Sequence, residues 1–177
     1  MFLEKKLMPD MTLGSYRDLT PSVLSSLGAT ALISDIDNTL ATYDDLDAPP
    51  EVEEWIASLR AAGISVTLVS NNGRRRVERF NSTLLCNAYS NVKKPSAKYL
   101  IAAMADMQSA PEETVFLGDQ LLTDALAAHR AGIRAVIVPP IKDKKSLFFR
   151  FKRALERPYM KKYKKLNGGD AEKENIK

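Results

Sequence analysis

The 177-residue chain contains one cysteine, one tryptophan and one histidine. A lone Cys86 cannot close an internal disulfide; it fits a reducing compartment and reads as a core residue. No apolar run approaches the ~18 residues needed to span a bilayer. The opening residues, MFLEKKLMPDM, lack the apolar core of ~7–15 residues that marks a secretory signal, so the expectation is a cytoplasmic protein. Acidic residues are scarce in one region. Residues 141–165 hold 11 Lys/Arg against only Asp143 and Glu156, a net of +9, whereas residues 1–140 hold 13 Lys/Arg and 17 Asp/Glu, a net of −4. A mildly acidic body followed by a strongly basic segment points to an anionic surface as partner, either membrane or nucleic acid. The rest is ordinary for a soluble globular protein, with 45% hydrophobic and 27% charged residues. The length suits one domain with a full core.

Hydrophobic spacing predicts alternating strands and helices. Thr20-Pro21 opens a short helix that ends at Gly28. Residues 30–34 form a buried strand. Pro49-Pro50 precede a helix whose inner face is Val52, Trp55, Ile56 and Leu59, spaced i, i+3, i+4, i+7 and stopped by Gly63. Strands follow at 64–69, 85–89, 114–117 and 134–138. The intervening helices are placed at 73–82, after a Ser96 cap, and at 121–131, the last closed by Gly132. This alternation implies a three-layer α/β Rossmann-like parallel sheet covered on both faces. Right-handed crossovers then bring every strand's C-terminal end to one edge, where ligands bind.

Four short motifs fall at those ends. Asp35-Ile36-Asp37-Asn38-Thr39 closes the first strand and sets two carboxylates one residue apart. Asp35 can attack phosphorus and form an aspartyl-phosphate, while Asp37 protonates the leaving oxygen and later activates water. A carboxylate nucleophile facing an anionic phosphate calls for a cation, and Mg²⁺ suits oxygen ligands. Ser70 and the backbone N–H groups after it, in VSNN, can hold a phosphate oxygen. Lys94 can offset charge on the transferring phosphoryl group. In Gly118-Asp119-Gln120-Leu121-Leu122-Thr123-Asp124, Asp119 is a metal ligand and Asp124 orders the ligand shell. Taken singly, each piece has a plain reading as turn, helix cap or solvated side chain. Four in this order, each after its own strand, argue for a site. The expected set is catalytic Asp35, Asp37 and Lys94, metal-holding Asp35, Asp37, Asp119 and Asp124, and substrate-binding Thr39, Ser70, Asn71, Arg74 and Arg76. Arg74, Arg75, Arg76 and Arg79 read either as a solvated face or as a holder of a second phosphate. His129 reads as structural or surface rather than catalytic.

The segments SDIDNTLATYD (34–44), VSNNGRRRV (69–77), KKPSAKYL (93–100) and LGDQLLTD (117–124) resemble the haloacid dehalogenase (HAD) superfamily, and within it the YqeG-like HAD-IIIA phosphatases. The resemblance covers residues ~7–140. It implies Asp35 as nucleophile, Asp37 as general acid/base, Asp119 as a magnesium ligand, and a sheet of strand order 3-2-1-4-5. It extends to the mitochondrial phosphatidylglycerophosphate phosphatases at the first and fourth motifs, which implies a phospholipid substrate. One departure stands out: Ala127-Ala128-His129-Arg130 lies where that family usually carries Gly-Gly-Asn-Arg.

The spacing between motifs leaves no room for an inserted cap domain, so the site is expected to be open to a large or surface-borne substrate. Residues 1–140 are assigned to the phosphatase domain, 141–165 to a basic amphipathic helical extension and 166–177 to a polar, disordered tail. In SLFFRFKRALER (146–157), Leu147, Phe148, Phe151 and Leu155 share one helical face opposite Arg150, Lys152, Arg153 and Arg157. That pattern suits either an anionic membrane surface or docking on the sheet. The leading expectation is hydrolysis of phosphatidylglycerophosphate, peripheral to the inner face of the cytoplasmic membrane and without a nucleic-acid partner. The alternatives are a phosphatase of a soluble phosphoester and, in another class, an RNA-binding scaffold.

Overall fold

A computed structural model of the chain describes residues 6–142 and 147–167. In chain order the elements are β1 (Met11–Thr12), α1 (Pro21–Ser26), β2 (Ala31–Asp35), α2 (Pro50–Ala61), β3 (Ser65–Val69), α3 (Arg74–Phe80), β4 (Asn87–Tyr89), α4 (Lys98–Met107), β5 (Thr114–Gly118), α5 (Leu126–Ala131), β6 (Arg134–Ile137) and α6 (Leu147–Asn167). The six strands form one parallel sheet in the order β1-β6-β5-β2-β3-β4.

Why these segments pair as they do follows from their side chains. β2 and β5 are buried at every position, which requires apolar cover on both faces, as expected for parallel strands linked by helices. Alternate residues serve opposite cores. Leu32, Val115 and Val136 join one cluster with Trp55, Ile56 and Phe80 from α2 and α3. Ile33, Phe116 and Ile137 join the other with Leu100 and Met104 of α4 and Ala127 and Ala128 of α5. On the first face the Trp55 indole N–H donates to Leu19 O at 3.1 Å, and its ring meets Tyr16 edge-on at 5.1 Å. The inward stripe predicted for α2 is the buried one.

The sheet contains the expected 3-2-1-4-5 order as β4-β3-β2-β5-β6 and adds β1 beyond β6. A two-residue strand carries no readable period, so its pairing is a tertiary event. Two local expectations are corrected. Ser96 is not the cap of α4: Ala97 holds that position, and Ser96 Oγ only accepts a long 3.4 Å bond from Lys98 N. The helix expected over 121–131 opens instead with a wide π-type turn, Leu121–Ala125, before α5 begins. The expected disordered tail lies outside the described residues from 168 onward, as do the side chains of Leu147, Phe148, Arg150, Lys152 and Arg153. Phe151 and Leu155, from the expected apolar stripe of the last helix, are exposed. No helix among the described residues is long and apolar enough to cross a membrane.

β1 is held at the sheet edge by the segment before it. Asp10 N donates to Ala135 O at 2.9 Å, and its carboxylate accepts from Ala135 N at 2.7 Å. The same oxygen, Oδ2, lies 2.8 Å from His129 Nε2, and His129 Nδ1 lies 2.8 Å from Lys6 O. His129 is thus structural: the residue that departs from the related pattern ties the N-terminal segment to α5. The hydrogen bond to Asp10 raises the His129 imidazole above its usual value, with burial opposing. Burial raises the Asp10 carboxyl, but the bonds from His129 and Ala135 outweigh it and leave it lowered.

A raised histidine contributes stability that is full below its unfolded value of about 6.5 and fades as pH rises through the folded value. A lowered aspartate contributes above about 3.9 and fails as pH falls through its folded value. The pair therefore acts in the mildly acidic window between. We expect His129→Asn to lower thermal stability most near pH 5–6 and least near pH 9, by at most about 1 kcal/mol because Asp10 is half exposed. Paired melting curves across that range check this; an equal loss at all pH values would contradict the ion pair.

Candidate active site

β2 is the switch point of the sheet: the chain leaves it toward β3 and β4 on one side and then crosses to β5 and β6 on the other. At such a point the loops diverge and open a crevice at the strands' C-terminal ends. Asp35 ends β2, Ser70 follows β3, Lys94 lies beyond β4 and Asp119 follows β5. An open pocket of about 220 Å³ sits there, lined in part by Asp35, Asp37, Tyr43, Ser70, Lys94 and Thr123.

The turn after β2 buries two carboxylates against different partners. Asn38 adopts a left-handed conformation, φ 68°, which asparagine tolerates better than most residues. Asn38 N donates to Ala41 O at 2.7 Å and Leu40 N to Ile36 O at 2.9 Å, so the chain curls back. Thr39 Oγ1 then reaches Asp35 Oδ2 at 3.0 Å. Asp37 is held separately by Ser70 Oγ (3.0 Å), Asn72 Nδ2 (2.8 Å) and Arg76 Nη2 (3.2 Å).

Lys94 supplies the central positive charge. Its Nζ contacts Asp35 Oδ1 and lies 2.8 Å from Asp124 Oδ1, and Lys94 is 8% exposed. Asn71 Oδ1 fixes the lysine backbone by accepting from Lys94 N at 2.7 Å. Burial alone would lower the ammonium's pKa, but Asp124 and Asp35 reverse this and raise it, so Lys94 stays charged. Burial pushes the Asp35 carboxyl up, to about 7, with Lys94 pulling it down and Asp124 and Asp37 adding repulsion. Burial, then Asp37, Asp35 and Asp119, raise the Tyr43 phenol and keep it neutral, a hydrogen-bond donor at the pocket wall.

Asp124 is aimed inward by the backbone. Its Oδ2 accepts from Asp119 N (3.1 Å) and Gln120 N (3.0 Å). Carboxylate oxygens of Asp35, Asp119 and Asp124 all lie within 4.8 Å of one another. Three buried carboxylates offset by one lysine form a hard-oxygen donor set deficient in positive charge, which fits a divalent cation.

The structure brings together Asp35, Asp37, Ser70, Asn71, Lys94, Asp119 and Asp124 as expected. Four of the expected residues lie differently from the rest. Asp37 is outside the carboxylate cluster, because its oxygens are taken by Ser70, Asn72 and Arg76. Thr39 is buried against Asp35 and does not line the pocket, so it orients that carboxylate rather than contacting substrate. Arg74 is exposed and paired with Glu78 one turn away, pointing off the site. Arg76 spends its guanidinium on Asp37, Thr42 O and Leu46 O, bracing the loop after β2. Arg79 pairs with Asp47. Sequence reasoning missed Asn72, Tyr43 and Thr123; of these only Asn72 carried a signal, as the second asparagine of VSNN.

The sheet order, the switch-point crevice and the carboxylate–lysine cluster define a haloacid dehalogenase-type site. A sequence model of the haloacid dehalogenase-like hydrolases matches residues 10–132, and the chain belongs to that family. It is 36% identical over 155 residues to the probable phosphatase YqeG of Bacillus subtilis, an alignment spanning 88% of this chain and 90% of that protein. That relationship supports phosphatase activity of the haloacid dehalogenase type. In fold the chain is similar to the cobalt-bound deoxy-D-mannose-octulosonate 8-phosphate phosphatase of Haemophilus influenzae, at TM-score 0.51 and 16% identity over 77% of this chain and 92% of that one. It is also similar to CbbY of Rhodobacter sphaeroides in complex with phosphate, at TM-score 0.51 and 16% identity over 68% and 90%. Phosphatases of this family generally use a divalent metal, and the buried Asp35, Asp119 and Asp124 cluster accords with that.

Gly118 is the position on which this packing rests. A Cβ there would lie 2.5–2.6 Å from the Asp124 side chain, far inside contact distance. We expect Gly118→Ala to cost about 1–3 kcal/mol through overpacking and to cut phosphatase turnover at least tenfold by displacing Asp124. Thermal melts and turnover measured together check this; wild-type values of both would show that Asp124 needs no such clearance.

Proposed function

We propose that the protein is a Mg²⁺-dependent phosphomonoester hydrolase working through an aspartyl-phosphate on Asp35. The observation that carries this reading is the buried Lys94 ammonium set between Asp35 and Asp124 at the floor of an open pocket. Lys94 draws the Asp35 carboxyl toward its ionised form against the pull of burial, and Thr39 orients it. An Asp35 oxygen attacks phosphorus and the bond to the substrate oxygen breaks. A proton on the Asp37 carboxyl passes to the departing alcohol. Asp37, now a carboxylate, takes a proton from water, whose oxygen attacks phosphorus, releasing phosphate and restoring Asp35. Ser70, Asn72 and Arg76 hold Asp37 in place for both transfers. Magnesium held by Asp35, Asp119 and Asp124 would supply positive charge against the phosphoryl oxygens.

Asp35→Asn keeps shape but removes the charged nucleophile. The expected outcome is a folded protein whose phosphatase rate falls at least a thousandfold, about 4 kcal/mol of barrier, and a wild type that loses activity in EDTA and regains it with Mg²⁺. A purified Asp35→Asn variant with near wild-type turnover would rule out the aspartyl-phosphate route.

For substrate, the reading is a phosphomonoester carried on lipid, phosphatidylglycerophosphate, met at the surface of an anionic membrane. Support comes from the short connections between motifs, which leave the pocket uncovered, and from the basic α6, where Lys161 and Lys165 are exposed. Each lysine near an anionic surface contributes ~1 kcal/mol at low salt. The lipid in mixed micelles is expected to be cleaved with a higher kcat/KM than glycerol 3-phosphate, sugar phosphates or nucleotide monophosphates. Lys161→Glu with Lys165→Glu is expected to weaken sedimentation with anionic liposomes and to lower turnover of the lipid only. A soluble phosphoester cleaved better than the lipid would replace this substrate assignment, and RNA binding without liposome binding would favour the scaffold alternative.

A further inference from the structure

Helix α6 reaches into the site through its glutamate. In an otherwise basic segment, Glu156 is turned inward and 3% exposed. Its Oε1 accepts the backbone N–H of Leu122 at 3.1 Å. Leu122 lies between Asp119 and Asp124, in the wide turn Leu121–Ala125; the two amides just before that turn, of Asp119 and Gln120, are taken by Asp124. The same loop is therefore held at two points, by its own aspartate and by a glutamate 34 residues further on. A second observation places the helix against the acidic cluster: Asp119, Leu121, Val138, Glu156 and Met160 share the lining of one cleft of about 390 Å³. A carboxylate on the outer face of α6 would weaken attraction to anionic partners. Buried, it needs donors, and the start of a helical turn offers unpaired N–H groups and a favourable dipole.

We propose that Glu156 is a positioning residue for the divalent cation site: by holding Leu122 N, it fixes the turn that presents Asp119 and Asp124, and so makes α6 a structural part of the phosphatase centre. This rests on the divalent-metal reading above. Groups that orient metal ligands commonly govern affinity by about 10–100-fold, and displacing this turn would displace the Asp119 and Asp124 carboxylates that flank it.

The test is calorimetric titration of Mg²⁺ alone into the intact protein, beside melting curves and Mg²⁺-dependent turnover. Glu156→Ala is expected to weaken Mg²⁺ binding about tenfold or more and to lower turnover at limiting Mg²⁺, with recovery at high Mg²⁺. Glu156→Gln, which keeps an acceptor oxygen at the same reach, is expected to bind Mg²⁺ within about twofold of wild type. Glu156→Asp, one methylene short, is expected to resemble alanine, and the Gln/Asp contrast decides the matter if the alanine variant does not fold. Leu166→Ala, at an exposed position of the same helix, is the control. Unchanged Mg²⁺ affinity in Glu156→Ala, a fall in melting temperature without a change in affinity, or equal losses in Gln and Asp would each overturn the proposal. A wild type that does not bind Mg²⁺ would remove the metal reading and this inference together, whereas a wild type that binds while Glu156→Ala binds equally removes this inference alone.

Discussion

Lys94 carries its ammonium to a depth at which an unpaired charge would be untenable, and it can do so only because Asp35 and Asp124 meet it there. The dependence runs both ways. Three carboxylates gathered within 4.8 Å repel one another, and burial adds to the cost of ionising them. The lysine offsets part of that cost, and a bound divalent cation would offset more. Everything nearby serves to hold these charges in register: Asn71 pins the Lys94 backbone, Thr39 turns Asp35, and the Asp119 and Gln120 amides turn Asp124. Gly118 leaves the clearance that lets Asp124 come so close.

The sheet makes this arrangement available. Asp35, Ser70 and Asp119 come from three adjacent parallel strands, whose C-terminal ends are held side by side by ladder hydrogen bonds. Lys94 arrives from beyond the edge strand β4. The two apolar cores on either face fix the strands, and rigid strands position side chains more sharply than free loops would. The buried charges Asp35, Asp37, Lys94, Asp119 and Asp124 are thus gathered at the C-terminal rim of the sheet.

Charge is used differently at the two ends of the chain. The arginines of α3 are consumed locally, by Glu78, Asp47, and the Asp37 loop. They stiffen the wall of the site instead of enlarging its anion-binding surface. At the opposite end, His129 and Asp10 fasten the N-terminal segment and complete the sheet edge.

Much of this was legible in the amino-acid order alone. Short apolar, β-branched runs placed the strands and a period of 3.6 placed α2, because burial on one or both faces leaves a local signature. Asp35, Asp37, Ser70, Lys94, Asp119 and Asp124 were recognisable because each must follow a strand end, and a strand end can be read from its neighbours. What the order could not reveal were contacts set by distance in space. Whether Arg74 or Arg76 faced substrate depended on which carboxylate or carbonyl lay within reach once the loop after β2 folded over α3. Pairing of Met11–Thr12 with β6 depended on an edge left free by the rest of the sheet. Glu156 looked like a stray acid in a basic helix until docking of that helix put it on Leu122 N. Local pattern determines which face of an element is apolar; only the packed fold decides which polar groups meet, because those meetings join residues 30 to 120 positions apart.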